Sequence, residues 1–205
     1  MKRSVLFLIF LIPFLSGCIN TATKTHEQYL GRLVLDIPNS YEPKEVVNNV
    51  YDALSIRASQ LQKYENFFPE ELPEKPARPK MQNKEMGLGM YSMRFVDVKC
   101  GDDAWVSISG QERGLKSAYG TKDLGGYRVC IYPYKKGYRV YVIGIYTYSE
   151  QNSILGSIAG AIKKGVTKAT CDTDKIYNCW FNQVVKEIEN KFTNAKVVRI
   201  DMPQR

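Results

Sequence analysis

Residues 126–148 read GYRVCIYPYKKGYRVYVIGIYTY. The runs 126–132 (GYRVCIY) and 138–148 (YRVYVIGIYTY) are dense in β-branched and aromatic residues, which suit a pleated, half-buried surface. Between them Pro133-Tyr134-Lys135-Lys136-Gly137 has hairpin length. The pattern predicts an antiparallel hairpin. Alternation along its second strand puts Tyr138, Val140, Val142, Gly144, Tyr146 and Tyr148 on one face and Arg139, Tyr141, Ile143, Ile145 and Thr147 on the other. Neither face is purely polar, so both should be covered, one by helices and one by something else. Seven of the 14 tyrosines, Tyr127, Tyr132, Tyr134, Tyr138, Tyr141, Tyr146 and Tyr148, lie in this hairpin. Burial with cross-strand pairing is one reading of them; a partner-binding surface is the other, because Tyr and Arg anchor interfaces.

Outward from the hairpin, residues 104–109 (AWVSIS) and 86–98 (MGLGMYSMRFVDV) read as further strands. Residues 29–37 (YLGRLVLDI) read as the first strand, closing at Pro38-Asn39-Ser40. Residues 46–60 are ambiguous: Val50, Leu54 and Leu61 suit a helix, but the β-branched Val46, Val47, Val50 and Ile56 favour a strand, which is the expectation. Residues 65–84 hold Pro69, Pro73, Pro76 and Pro79 among charges and should be an exposed loop. Residues 111–125 (QERGLKSAYGTKDLG) are Gly-rich, charged and without hydrophobic period, hence a second long loop. Ile154, Leu155, Ile158, Ala159 and Ile162 predict a helix over 152–166, and Ile176, Trp180, Val184, Ile188 and Phe192 another over 172–192. Residues 195–200 (AKVVRI) offer a last strand. The expected class is α+β: a mainly antiparallel sheet with two helices near the C-terminus.

The chain begins with a short basic region, Met1-Lys2-Arg3, and an almost wholly apolar run from Ser4 to Phe14 interrupted only by Pro13, the pattern of a secretory signal peptide. The run is too short to span about 30 Å of hydrocarbon comfortably. It ends at Leu15-Ser16-Gly17-Cys18, which resembles the lipobox of bacterial lipoproteins. That resemblance implies cleavage before Cys18, diacylglycerol on its thiol, and acyl chains beyond the two-signal threshold for stable anchoring. The rival is a plain signal peptide that happens to precede a cysteine. Ile19 in place of Asp after the cysteine implies, by the sorting habit of enteric-type bacteria, the outer membrane facing the periplasm. The expected layout is a signal peptide over 1–17, lipidated cysteine and tether over 18–28, and one α+β periplasmic domain over 29–205.

Five cysteines less Cys18 leave Cys100, Cys130, Cys171 and Cys179. An even number in an exported chain suggests two disulfides, with three possible connectivities. Cys100 with Cys130 is favoured because both lie in or beside strand-like runs, and Cys171 with Cys179 would tie a loop to a helix. A four-cysteine metal site would want paired C-x-x-C spacing, which these positions do not have.

Composition bounds function. The 205 residues are 44% hydrophobic and 24% charged, one domain's worth of globular material. Lys plus Arg number 29 against 21 Asp plus Glu; without Lys2 and Arg3 the balance is 27 minus 21, or +6, spread along the chain, so no nucleic-acid partner is expected. The single histidine, His26, leaves no material for a His-based zinc site, a Ser/His/Asp triad or a Cys/His dyad. Gly156-Ser157-Ile158-Ala159-Gly160 has its serine second and not third for a nucleophile elbow; its Gly-x-x-x-Gly spacing suits helix packing or a partner or membrane-surface contact. Asp102-Asp103 and Glu70-Glu71 read as solvated charge in loops. No catalytic residue, cofactor or metal is expected, and the chain reads as a binding protein and not an enzyme.

Gly31-Arg32-Leu33-Val34-Leu35-Asp36-Ile37-Pro38, followed by Tyr41 and placed just after a lipoprotein tether, resembles the opening strand of the immunity lipoproteins encoded beside type VI secretion phospholipase effectors. The resemblance implies a periplasm-facing domain that binds a toxic lipase and blocks its active site. The alternative is an envelope structural or assembly lipoprotein that docks onto a membrane-associated complex. Long loops are best able to enter a cleft while sheet and helices stay rigid behind them. In the 111–125 loop, the leading element, Arg113 and Lys116 would supply donors and Tyr119 an anchor; in the 65–84 segment, Phe67 and Phe68 would serve as apolar plugs.

Overall fold

The computed structural model describes residues 24–88, 91–113, 124–151 and 176–203. The Tyr-rich hairpin is its centre: β6 (Leu124–Tyr134) and β7 (Gly137–Gln151) pair antiparallel, with Tyr134 opposite Gly137 at the turn and Leu124 opposite Thr147 at the far end. β1 (Lys24–Pro38) lies along the other edge of β7 for its whole length, Lys24 opposite Gln151 and Pro38 opposite Gly137. With β2 (Ala58–Glu65), β5 (Val106–Glu112) and β8 (Lys196–Asp201), these strands form a six-stranded antiparallel sheet in the order β2-β5-β6-β7-β1-β8. β3 (Lys80–Leu88) and β4 (Tyr91–Lys99) form a separate hairpin.

Both faces of the sheet are covered. On one, α1 (Pro43–Ser55) and α2 (Ile176–Lys191) pack over Leu33, Leu35, Ile131, Val140 and Val142. Phe181 of α2 sits fully buried where β1 and β7 carry Gly31 and Gly144 opposite each other. A Cβ at either glycine would lie 2.8 Å or 2.7 Å from the Phe181 ring, so the helix can approach only because both side chains are absent. On the other face Val34, Cys130, Tyr132 and Tyr141 pack with Cys100, Ala104 and Ala77. The β3–β4 hairpin lies against the same face, held where the Val96 N–H donates to Gln28 Oε1 at 2.7 Å and Arg32 Nη2 meets Met81 Sδ at 2.9 Å.

The α+β class stands, with a mainly antiparallel sheet; α2 falls within the expected 172–192 helix near the C-terminus, and α1, which was not expected, lies near the start of the chain. Residues 46–60 are not one strand: α1 ends at Ser55 and β2 begins at Ala58. Pro43 stands at the start of α1, and the spacing of the buried Val46, Val47, Val50, Ala53 and Leu54 is helical. Burial of that stripe outweighs the weak strand preference of valine. Residues 86–98 divide between β3 and β4, and β3 takes in Lys80 to Lys84 from the stretch read as loop. Gln111 and Glu112 belong to β5 and Leu124 and Gly125 to β6, leaving a shorter connection than 111–125. β1 begins at Lys24, inside the 18–28 stretch read as tether. The expected helix over 152–166, its Gly156–Gly160 motif and Cys18 lie outside the described residues.

Candidate binding surface

The sheet has two unlike ends. Where β1 finishes, residues 66–79 run without helix or strand, as four prolines and their charged neighbours dictate, from Phe68 against Trp105 of the helix-covered cluster to Ala77 in the cluster of the second face. The crossing is nevertheless held. The Asn66 N–H donates to Trp105 O and its Nδ2 to Ala104 O, both at 2.7 Å. The Lys135 N–H, in the β6–β7 turn, donates to Pro73 O at 3.0 Å, and Lys135 Nζ pairs with Glu74. Ala77 packs into the second-face cluster.

That frame presents an aromatic pair. Phe68 meets Trp105 edge-on at 5.0 Å, and the ring of Trp105 in turn lies 6.2 Å from Tyr138. Phe67, one residue before it, is fully exposed, and Tyr64 of the edge strand β2 is 65% exposed nearby in the chain. Beneath the segment, Cys100 and Cys130 form a disulfide with Cα atoms 5.3 Å apart, and the Tyr132 hydroxyl donates to Cys100 O. Arg139 clamps Asp36 with Nε–Oδ1 at 2.5 Å and Nη2–Oδ2 at 2.9 Å, a fork that holds the guanidinium charged. Burial, then Tyr141 and Asp103, pushes the Tyr132 hydroxyl well above its ordinary range.

Where β1 begins, the chemistry is a buried polar network. Glu112 is buried; its Oε1 accepts from Arg57 Nη2 at 2.5 Å and its Oε2 from the Tyr127 hydroxyl, which itself accepts from Tyr146 at 3.0 Å. Arg57 lies over the Trp180 ring at 4.8 Å, and Tyr177 stacks on both Tyr29 and Tyr146. Burial is the first cause that pushes the Tyr127 and Tyr146 hydroxyls far above their usual range, so both stay protonated donors. Beside this network a cavity of about 520 Å³, lined by Gln28, Tyr29, Leu30, Ile200, Asp201 and Met202, opens where β8 stops short of the full length of β1.

The sequence-derived sites separate accordingly. Phe67 and Phe68 come together with Trp105 on a held segment. Arg113 is exposed, but its N–H donates to Arg57 O at 2.8 Å and its Nε to Ala58 O at 2.9 Å, so much of its donor capacity serves the fold. Lys116 and Tyr119 lie outside the described residues. Cys179 is disulfide-bonded, and Cys171 lies outside the described residues. Six of the seven hairpin tyrosines, Tyr127, Tyr132, Tyr134, Tyr138, Tyr141 and Tyr146, are buried on one face or the other, so burial and not a partner surface accounts for these six; the side chain of Tyr148 lies outside what is described. Covering both faces of the sheet turned the six inward. Asp102, Asp103, Glu70 and Glu71 are exposed.

Sequence reasoning missed the Glu112 network, because a glutamate between Gln111 and Arg113 carries no sign of burial. It missed Trp105 as the support of the aromatic pair for the opposite reason: Trp105 reads as part of a strand. A phenylalanine pair in an otherwise charged, Pro-rich stretch was the available signal. Among the described residues no three or more His, Cys, Asp or Glu gather as metal ligands, and no helix is long and apolar enough to cross a membrane. The chain matches no protein-family model and no curated relative.

Proposed function

We propose that the chain is an outer-membrane-anchored immunity protein that binds a secreted antibacterial lipase and occludes its active site, with residues 66–79 as the inserting element. The observation that carries this reading is Phe67, fully exposed on a segment tied down on both sides of it. A backbone ordered before binding loses little further entropy on association, and a projecting aromatic is the side chain best suited to fill an apolar pocket. The acyl-binding cleft of a lipase is such a pocket. The lipobox resemblance at Cys18 and the β1 resemblance to immunity lipoproteins supply the compartment and the partner class.

Position within the fold supports the same choice. β1 runs 15 residues from the tether side to the side where residues 66–79 lie, roughly 50 Å at about 3.4 Å per residue. The described ends of the 111–125 stretch, Gln111 to Arg113 and Leu124 to Gly125, lie at the side where β1 begins, so of the two elements the Pro-rich one is better placed to meet a partner arriving through the periplasm. A mature balance of +6 would speed encounter with an acidic partner, so added salt should slow association while leaving dissociation little changed.

The test is co-expression with the lipase encoded by a neighbouring reading frame that carries G-x-S-x-G. The parent chain should bind the lipase and protect cells. Phe67→Ala should lose protection and weaken binding by about 2 kcal/mol or more while lipidation and thermal stability stay at parental values. A parent that neither binds nor protects overturns the proposed function, and full protection by Phe67→Ala removes residues 66–79 from it.

A further inference from the structure

β8 is the last strand of the sheet and pairs with β1 along one edge only. Lys196 to Ile200 are exposed and Asp201 is partly so. Val197, Val198 and Ile200 stand 40%, 45% and 42% in solvent, three of the eight large apolar side chains exposed among the described residues. A strand edge with outward N–H and C=O groups and apolar side chains is a template for another strand.

Which strand fits is decided by a bulge. β8 sets Asp201 opposite Arg32, Ile200 opposite Leu33 and Arg199 opposite Val34, then skips Val198 and resumes with Val197 opposite Leu35 and Lys196 opposite Asp36. Residues directly opposite each other share a face of the sheet. Leu33 and Leu35 belong to the helix-covered cluster, and Val34 to that of the second face. Val197 and Ile200 therefore lie on the helix-covered side, and Lys196, Arg199 and Asp201 on the second. Taken from either end, the strand begins on the second face and passes to the helix-covered one, with the extra residue Val198 beside Arg199 at its centre. A regular strand of six residues cannot have this symmetry, because strict alternation puts its two ends on opposite faces.

Antiparallel pairing with the β8 of a second copy, about a two-fold axis through the centre of the strand, matches both outer ranks. Lys196 of one copy stands opposite Asp201 of the other, and Val197 opposite Ile200, each pair on a common face; Val198 and Arg199 meet at the axis. The outer ranks are thus an ion pair and an apolar pair, both of which stabilise a sheet. A shift of one residue sets Lys196 against Ile200 or Val197 against Asp201, which lie on opposite faces. A bulge or a lysine on an edge strand ordinarily keeps foreign strands away. Here the bulge matches the faces of a second β8 and the lysine has a carboxylate to meet, so both select the chain's own copy.

We propose that β8 is a homodimer interface, at which two copies join edge to edge and continue one sheet across the two-fold axis. Phe67 follows β2 at the opposite edge of the sheet, so each copy keeps its 66–79 segment free. The axis runs normal to the sheet, and both copies turn the same face the same way. Two copies anchored through Cys18 can share it with the sheet lying along the membrane. The six residues from Cys18 to Lys24 reach at most about 22 Å when extended, more than the roughly 10 Å depth of one packed layer.

An interface one six-residue strand wide is of the weak, reversible class, so the test is a concentration series. Sedimentation velocity of the full chain in dodecyl maltoside should show a monomer–dimer equilibrium. Lys196→Glu sets acidic groups against each other at both ends of the paired strands, and Asp201→Lys does the same with basic groups. Each should weaken dimerisation roughly tenfold or more, with circular dichroism and thermal unfolding like those of the parent. Mixed in equal amounts, the two variants bring opposite charges together at both ends, and the mixture should dimerise like the parent. A parent that stays monomeric throughout the series overturns the proposal. So does a dimer that both single variants leave intact, which would place the interface elsewhere, and so does a mixture of the variants that stays monomeric, which would remove the pairing of Lys196 with Asp201.

Discussion

The two ends of the sheet solve the same problem, keeping strand termini ordered, by different means. Where β1 begins, order comes from a buried carboxylate whose charge is met by Arg57 and the Tyr127 hydroxyl, with stacked rings around them. Where β1 finishes, order comes from a covalent bridge, Cys100 to Cys130, and from hydrogen bonds that tie residues 66–79 to Trp105 and Lys135. A buried ion pair stabilises only while every member is present, and it withdraws side chains from the surface. A disulfide asks nothing of its neighbours' polarity. The second end can therefore leave a phenylalanine fully in solvent while the segment that carries it stays held.

The sharpest way to break this contrast is Glu112→Ala. It leaves Arg57 partly buried without its carboxylate and Tyr127 without its acceptor, and should cost about 3–5 kcal/mol in urea unfolding. A loss below about 1 kcal/mol would mean that packing and not the network orders that end. Replacing Cys100 and Cys130 by Ser should cost roughly 3–4 kcal/mol for a bridge closing 30 residues, and proteolysis should then cut within 66–79 before it cuts elsewhere.

Alkaline titration separates the ends more finely. Tyr127, Tyr146 and Tyr132 all have folded-state pKa values raised above the ordinary value of 10.0, so their contribution is fully present below that pH and is lost as pH rises beyond it. Stability should fall above pH 10 by about 1.4 kcal/mol per pH unit for each such tyrosine. Tyr127→Phe should make the fall shallower, measured by unfolding at pH 9 and pH 11; an unchanged slope would place the titration elsewhere.

Smaller still, Arg113→Ala removes one side-chain bond to Ala58 O and should cost about 1 kcal/mol, whatever it does to binding. Phe67→Ala should change unfolding by no more than about 0.5 kcal/mol, because its ring touches solvent only. That pair of values is the test of which loop is structural and which is free for a partner.

The strands of the sheet were legible because their signal is local. Alternating Val, Ile and Tyr at 126–148 mark pleated segments, and Pro-Tyr-Lys-Lys-Gly is long enough only for a hairpin. The four prolines of 66–79 likewise exclude regular structure without reference to anything distant. Residues 46–55 were misread because the valines of α1 have a weak preference for strand, and the sheet face that overrides it lies elsewhere in the chain. The break between β3 and β4 was hidden for a similar reason: a glycine-containing run of strand formers does not say whether it continues or folds back.

The sequence by itself determined the class of fold, the hairpin at its centre and the extended character of residues 66–79, since each follows from the preferences of neighbouring residues. Only the tertiary structure decided which tyrosines are buried, that Glu112 is a core residue, and that Phe67 is free while Phe68 is held by Trp105. Those outcomes depend on residues tens of positions apart, such as Arg57 with Glu112 and Asn66 with Trp105, meeting at one place. Such a meeting is set by the order of strands in the sheet, which no local pattern encodes.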